Sequence, residues 1–388
     1  MPSSNNNNKY YSYDSAKERV NDPHALVSVI VPIYNAGPYL DQALNSLEVQ
    51  THDNLEIICL NDGSTDDSLQ IMQRHAENDE RIAIIDKQNQ GYGATCNRGL
   101  KEAHGEWIAI LEPDDWIEPG MFKDMLEFAA GFSEKIDIIK TPYWRIKDAD
   151  TPAEQKLQCS YKRRVHVDKQ PFVITDAIHL LHHHPSIWSA IYRKSFLDEF
   201  DIRFKPIPGA GWADNPFLVE TLCRARSIVY LDQPYYCYRE DTEEKSANFH
   251  KNNPDIPFDR WNEMLDIIED LGITDERILC AHYSRGFMYM SGVLEQHNAD
   301  DPAVRAQIER MFKRMDADLV FKYPHISPGC RRLFAEVREL PEPKVNHLQY
   351  GANLVEQGVY NLRNIGFKGT LDAVSNYFAK YKKRTGGR

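Results

Sequence analysis

The sequence contains no run of roughly 18 apolar residues, the length a membrane-spanning helix needs, and no apolar signal region at its N-terminus. It has no excess of basic residues: 46 Lys and Arg stand against 58 Asp and Glu, a net charge of −12. That balance argues against nucleic acid as a partner, since no basic surface is available to bind it. Its seven cysteines (Cys59, Cys96, Cys159, Cys223, Cys237, Cys280 and Cys330) are scattered, odd in number and never spaced C-x-x-C. This speaks against a disulfide framework and a structural zinc site, and for a reducing compartment. There is neither a G-x-G-x-x-G with a following acid nor a G-x-x-x-x-G-K-[ST], so a nicotinamide fingerprint and the standard phosphate loop are both missing. The expectation is a cytoplasmic protein, at most peripheral at the inner face of a membrane.

What is present is a rhythm. Residues 1–24 are polar, with the run Asn5 to Asn8, and read as a disordered tail. Leu26 to Val31 then forms an apolar β-run, and Leu40, Ala43, Leu44 and Leu47 mark one face of a helix from Pro38 to Val49. Strand signals recur at Leu55–Leu60, Arg81–Asp86 and Trp107–Leu111, with helices expected over Ser68–His75 and Gly93–Ala103 between them. Such alternation implies an α/β fold with a doubly wound, mainly parallel sheet and helices on both faces. Further on, Met121–Ala130 and Asn215–Arg224 read as helices, and Ile136–Lys140, Trp188–Tyr192 and Ser227–Leu231 as strands. Residues 147–170 lack a period and suggest a loop or irregular hairpin. The α/β domain is expected over 25–245, followed by a helical C-terminal region over 246–388.

The polar residues fall where those strands end. Pro32-Ile33-Tyr34-Asn35, Asn61-Asp62-Gly63-Ser64, Gln88-Asn89-Gln90-Gly91 and Glu112-Pro113-Asp114-Asp115 follow four successive strands. In a parallel sheet these carboxyl ends share one rim, the usual ligand edge of open α/β folds. Asp62 taken alone could instead simply cap the following turn, since Asp-Gly-Ser is good turn chemistry. Glu112, Asp114 and Asp115 crowd negative charge together, which a divalent cation relieves, and oxygen-only ligands favour Mg²⁺ or Mn²⁺ over zinc. The glycine turn Gly91-Tyr92-Gly93 opens a helix and would let a backbone approach an anion, although alone it says little.

Taken in order, these motifs resemble the inverting glycosyltransferases of family 2, which have the GT-A fold. The resemblance runs over roughly residues 26–240. It is carried by Val29 to Asn35, Asn61 to Asp66, Asn89 to Gly93 with Asn97-Arg98-Gly99, Leu111 to Trp116, Trp188 to Arg193 and Trp212 to Phe217. It implies a nucleotide-sugar donor, UDP-linked by preference, and a saccharide or lipid-linked acceptor in bacterial polysaccharide or glycoconjugate assembly. Pro32, Tyr34 and Asn35 would border the nucleotide base, and Asp62 would accept a hydrogen bond from it. Asn89 and Gly91 would line the ribose and phosphate side, with Asp115 also on the donor side. Asp114 would ligate Mn²⁺ or Mg²⁺, together with Glu112, which stands where the family usually has Asp. Asp214 matches the family's catalytic base, with Ala213 in place of the glutamate that often precedes it; it could instead, or also, cap the helix beginning at Asn215-Pro216.

Other features say less. His182-His183-His184 reads as a polar helix end before Pro185 rather than a metal site, because adjacent helical residues point apart. Trp188 and Tyr192-Arg193 suit the acceptor side and the core equally. Tyr235 to Arg239 resembles the family's aromatic-Arg segment before a loop that here is acidic (Glu240, Asp241, Glu243, Glu244). At the C-terminus, Val374, Tyr377, Phe378 and Tyr381 beside Lys380, Lys382, Lys383 and Arg384 suit a peripheral membrane contact or a docked terminal helix. Two other functions fit the same residues: a non-catalytic nucleotide-sugar-binding or scaffold protein, and a nucleotidyltransferase. The second is disfavoured because no glycine- and lysine-rich loop follows the first strand.

Overall fold

The computed structural model describes residues 20–207, 209, 211–240, 251–341, 344 and 347–384. The chain begins with β1 (Val27–Ile33), α1 (Gly37–Glu48), β2 (Leu55–Asp62), α2 (Ser68–Ala76), β3 (Ile82–Lys87), α3 (Tyr92–Glu102) and β4 (Trp107–Ile110). All seven residues of β1 are buried, and its neighbours β2 and β4 both run parallel to it. A strand covered on both faces cannot alternate polar and apolar residues, which is why it reads as one hydrophobic run. Pro38 fits the first turn of α1, where its missing N–H costs nothing, and Leu40, Ala43, Leu44 and Leu47 face inward.

Past β4 the chain forms β5 (Trp116–Ile117), α4 (Met121–Ala129), β6 (Ile138–Lys140), β7 (Tyr143–Lys147), β8 (Gln155–Gln158), α5 (His179–His182), β9 (Ala190–Arg193), α6 (Lys194–Glu199), α7 (Asp214–Arg224), β10 (Ile228–Tyr230) and β11 (Tyr236–Arg239). The main sheet has the order β10-β6-β9-β4-β1-β2-β3, and β9 is its antiparallel member. A second sheet, β5-β11-β7-β8, was not foreseen as a sheet. The aperiodic stretch 147–170 contains β8, which pairs antiparallel with β7 just before it. Short strands of mixed polarity have no period to betray them.

The N-terminal boundary moves. The expected tail ended at residue 24, but Asn21 is 2% exposed and donates from Nδ2 to the carbonyls of Phe132 (3.1 Å) and Glu134 (2.9 Å). Its Oδ1 accepts from Ile136 N–H and from Arg193 Nη2. Residues 1–19 of that expected tail lie outside the described residues. Arg193 is 3% exposed, paired with Glu106 and lying over the Trp107 ring, so it packs the core. Trp188 likewise stacks on Tyr236 at 4.0 Å inside the protein. Both therefore answer the acceptor-or-core question in favour of core.

The helical region comprises α8 (Ile256–Asp270), α9 (Glu276–Leu294), α10 (Pro302–Lys313), α11 (Ala317–Lys322), α12 (Pro328–Val337) and α13 (His347–Arg384). Its helix starts are written in the sequence. Asp275, Asp301, Asp316 and Ser327 each accept a backbone N–H of the following turn, and Pro302 and Pro328 occupy first-turn positions. Helix α8 packs on α7 and α9, and α9 also contacts α5, so the region is seated on the α/β domain beside the start of α7. The acidic loop expected after Arg239 falls largely on residues 241–250, outside the described ones; Glu240 itself pairs with Arg145.

Backbone crowding accounts for the glycine turn. Gly91 has φ 88°, and a Cβ on it would lie 2.6 Å from the Ile207 carbonyl oxygen; one on Gly93 would lie 2.0 Å from that of Lys205. The start of α3 is thus pressed against the segment 205–209. Gly93→Ala is expected to lower stability by about 1–3 kcal/mol, as overpacking does. The check is a lower urea midpoint at an unchanged m-value.

Candidate active site on the rim of the sheet

The first three strand-end turns are tied to one another. Asn35, at φ 50°, donates its N–H to Ser64 Oγ (3.0 Å), and its Oδ1 accepts from Thr65 N–H (2.8 Å). Asn61 Oδ1 accepts from Ser64 N–H, while its Nδ2 donates to Asp86 Oδ1 (2.7 Å). Asp62 is 3% exposed and accepts the N–H groups of Gln90 and Gly91, both at 2.9 Å, as well as Lys87 Nζ. A carboxylate between two backbone N–H groups and an ammonium is well satisfied, and it fixes the 88–91 turn. Pro32 is buried beneath this edge, Tyr34 is 53% exposed, and Asn89 is exposed. Gly91 is buried under the 205–209 segment, so its expected ribose and phosphate position lies behind that cover rather than at an open surface.

The acidic turn divides into two parts. Asp115, expected on the donor side, is 2% exposed and faces inward. Its Oδ1 accepts the Arg239 N–H (2.7 Å) and its Oδ2 the Tyr236 hydroxyl (2.9 Å). Burial raises this carboxyl well above the usual range. Both oxygens are engaged by β11, which makes Asp115 the clamp between the acidic turn and the second sheet. Glu112 and Asp114 are only half-buried. Glu112 Oε1 accepts the Tyr92 hydroxyl at 2.5 Å. Burial pushes the Glu112 carboxyl up to about 8, with the charges of Asp114 and Asp214 pushing the same way against the Tyr92 bond. Arg239 Nε donates to the Asp114 carbonyl (2.9 Å), and its guanidinium reaches Asp150 and Gln42.

Asp214 arrives from across the chain, as the first residue of α7 with Ala213 at the N-cap. It is half-buried, and burial raises its carboxyl to about 6. Asn215 Nδ2 donates to Asp214 Oδ1 (3.1 Å), and Asn215 Oδ1 accepts from Arg285 Nη1 (3.0 Å) and the Tyr289 hydroxyl (2.6 Å). The structure therefore brings Glu112, Asp114 and Asp214 within electrostatic reach of one another. Tyr92, Asn215, Tyr236, Arg239, Arg285 and Tyr289 also belong to this neighbourhood. Of these, Tyr92 and Asn215 stood inside quoted motifs without a role. Arg285 and Tyr289 carry no local signal, since they come from a helix beyond the motifs.

Among the described residues, no group of three or more His, Cys, Asp or Glu side chains forms a ready-made metal cage. The histidine run ends α5, with His182 and His183 half-buried and His184 exposed. His182 accepts or donates at Tyr323 Oη (2.9 Å), and burial lowers it to about 3. The half-buried carboxyls of Glu112 and Asp114 lie within electrostatic reach of each other, an oxygen-only donor pair of the kind that would suit a divalent cation.

The sequence profile of glycosyl transferase family 2 matches residues 28–199, from β1 through α6. The uncharacterized glycosyltransferase EpsJ of Bacillus subtilis is 30% identical over 228 residues, covering 56% of this chain and 61% of EpsJ. The uncharacterized glycosyltransferase YibD of Escherichia coli is 27% identical over 235 residues, covering 60% of this chain and 67% of YibD. The chain thus matches about 60% of the length of such relatives. Among solved structures, S. aureus TarS 1–349 in complex with UDP-GlcNAc superposes with a TM-score of 0.61 at 21% identity, over 81% of this chain and 87% of that one. At that identity the likeness is one of fold, a mixed sheet core followed by helices. With its motifs in order on one rim, the part of the α/β domain from β1 to α6 is similar to glycosyl transferase family 2.

Proposed function

We propose that this protein transfers a sugar from a nucleotide-sugar donor, UDP-linked by preference, to a hydroxyl of a saccharide or lipid-linked acceptor, with inversion at the anomeric carbon. The observation that carries the reading is the position of Asp214. It is a partly buried carboxyl with its pKa raised to about 6, opposite the acids Glu112 and Asp114 on the ligand edge of the sheet. A base poised near the working pH removes a proton most effectively. The UDP-GlcNAc complex of TarS, which shares the fold, supports the donor class.

The chemistry balances in one displacement. The acceptor oxygen forms a bond to the anomeric carbon as the bond to the diphosphate oxygen breaks. The leaving diphosphate keeps the electron pair, and the acceptor's proton passes to Asp214. The carbon is oxocarbenium-like at the crest, so attack from the face opposite the diphosphate inverts it. Asp114 and Glu112 are the residues that would hold Mg²⁺ or Mn²⁺, which would supply positive charge where the diphosphate leaves. Asn35 and Asp62 order the turns that border the base, and Tyr92 orients Glu112.

Helix α13 supports a peripheral membrane contact on the acceptor side. Asn353, Gln357 and Tyr360 join it to the body through Pro324, Arg164 and Lys162. On the other side Leu348, Val355, Val359 and Leu362 are exposed, as are Phe367, Leu371 and Val374 beyond the kink at Gly366. The helix carries six basic residues against two acidic ones, in a chain that is acidic overall. Apolar side chains beside basic ones suit an anionic lipid surface. The side chains of Tyr377, Phe378 and Tyr381 lie outside the described residues. Among the described residues, no helix is long and apolar enough to cross a membrane.

Four outcomes test this reading. In a donor-turnover assay that follows UDP release, Asp214→Asn should lower transfer at least about 100-fold, the typical worth of a general base. Asp114→Asn should abolish divalent-ion stimulation; wild-type activity in both variants, or nucleotide binding with no transfer to any acceptor, would instead favour the binding-protein alternative. Because Asp214 must be ionised to act, the rate should fall as pH drops through about 6 and level off above it. In vesicle sedimentation, the chain should pellet with anionic but not zwitterionic vesicles, and Phe367→Ser with Leu371→Ser should abolish it; equal binding to both lipids would count against the charge argument.

A further inference from the structure

The helical region contributes a buried cation whose partners are all on the α/β domain or next to it. Arg285, on α9, is 2% exposed. Its Nη2 donates to the carbonyls of Leu181 and His183, and its Nη1 donates to Asn215 Oδ1 (3.0 Å) and to the Tyr289 oxygen (3.2 Å). A guanidinium can only donate. Tyr289, one turn further along α9, therefore accepts from Arg285 and directs its own proton to Asn215 Oδ1 at 2.6 Å. Two donors converge on that amide oxygen, which leaves the Asn215 amide one orientation. Its NH₂ group must face the other way, and there it meets Asp214 Oδ1 at 3.1 Å. Without those donors the amide could turn over and present its oxygen to a carboxylate.

We propose that Arg285 and Tyr289 are positioning residues for Asp214, acting through the Asn215 amide, so that the helical region completes the setting of the base. The inference rests on the reading of Asp214 as the base. The direction of each hydrogen bond in the relay follows from the chemistry of the groups: Arg donates, Tyr passes its proton on, and the amide is locked. Tyr289 is further held by the Trp212 ring at 5.0 Å, two residues before Asp214 in the same turn. Among the described residues, Tyr289 on α9 and Tyr92, Cys96 and Glu112 from the α/β domain are titratable groups within electrostatic reach of Asp214. Arg285 is a cation acting on Asp214, and its charge favours the ionised carboxylate.

The test is a double-mutant cycle on the full chain, with turnover at saturating donor and UDP affinity measured side by side. Arg285→Gln and Asn215→Leu should each lower kcat by about 10- to 100-fold, the cost of a misplaced catalytic group. UDP affinity should stay within about twofold, since the nucleotide turns lie elsewhere on the rim, and Tyr289→Phe should lose less than Arg285→Gln. The combined Arg285→Gln/Asn215→Leu variant should be no slower than Asn215→Leu alone, because both act through one amide. The acidic limb of the rate should move to higher pH in Arg285→Gln, and Arg285→Lys should restore its position without restoring the full rate. Losses that multiply in the double variant, or an unchanged kcat in Arg285→Gln while Asp214→Asn is inactive, would overturn the relay and leave the base intact. An active Asp214→Asn would overturn the assignment of the base itself. Should Arg285→Gln lose UDP binding and so report only misfolding, Tyr289→Phe, which removes one hydroxyl, decides the matter by the same criteria.

Discussion

Burial of β1 on both faces, between two parallel neighbours, is the constraint on which the rest of the site depends. A strand so enclosed must be apolar throughout, and its partners must run the same way to return through helices. All polar business is then pushed to one edge, where β1, β2, β3 and β4 release their chains. The turns at that edge are not independent loops. Asn35, Asn61 and Asp62 each bond a neighbouring turn, so the rim behaves as one polar fabric fastened to an apolar plate.

On that rim the acids fall into different environments. Asp62 and Asp115 have their oxygens filled by protein donors and hold backbone in place. Glu112 and Asp214 are partly buried and raised by that burial. A site that keeps carboxyls close together with incomplete compensation stores electrostatic tension, and a cationic or proton-bearing ligand relieves it. This difference between the acids depends in part on the second sheet and the helical region, which supply Tyr236, Arg239 and Arg285.

How much of this could be read in advance depends on the range of each signal. The strands Leu55–Leu60 and Arg81–Asp86 and the helix at Ser68 were legible to within a residue or two, because hydrophobic period is a local property. The rim residues were legible because they sit directly after those strands. The histidine run does end a helix, as its position before Pro185 suggested, but its letters do not show that Tyr161, Tyr323 and His325 lie around it. The N-terminal boundary was misplaced for a similar reason: Asn21 looks like tail sequence, and its four partners lie more than 100 residues away.

The sequence by itself determined the α/β rhythm, the helix starts at Asp275, Asp301 and Ser327, and the set of polar turns from which the family could be recognised. Each is settled by residues within a few positions of one another. Only the tertiary structure decided that Asp115 turns inward while Asp114 stays on the half-buried side, although the two are adjacent in the chain. It alone joined Asp214 to Arg285. Those outcomes rest on hydrogen bonds from β11 and α9 that span 124 and 70 residues, and a donor supplied from so far along the chain leaves no period, spacing or motif beside its acceptor.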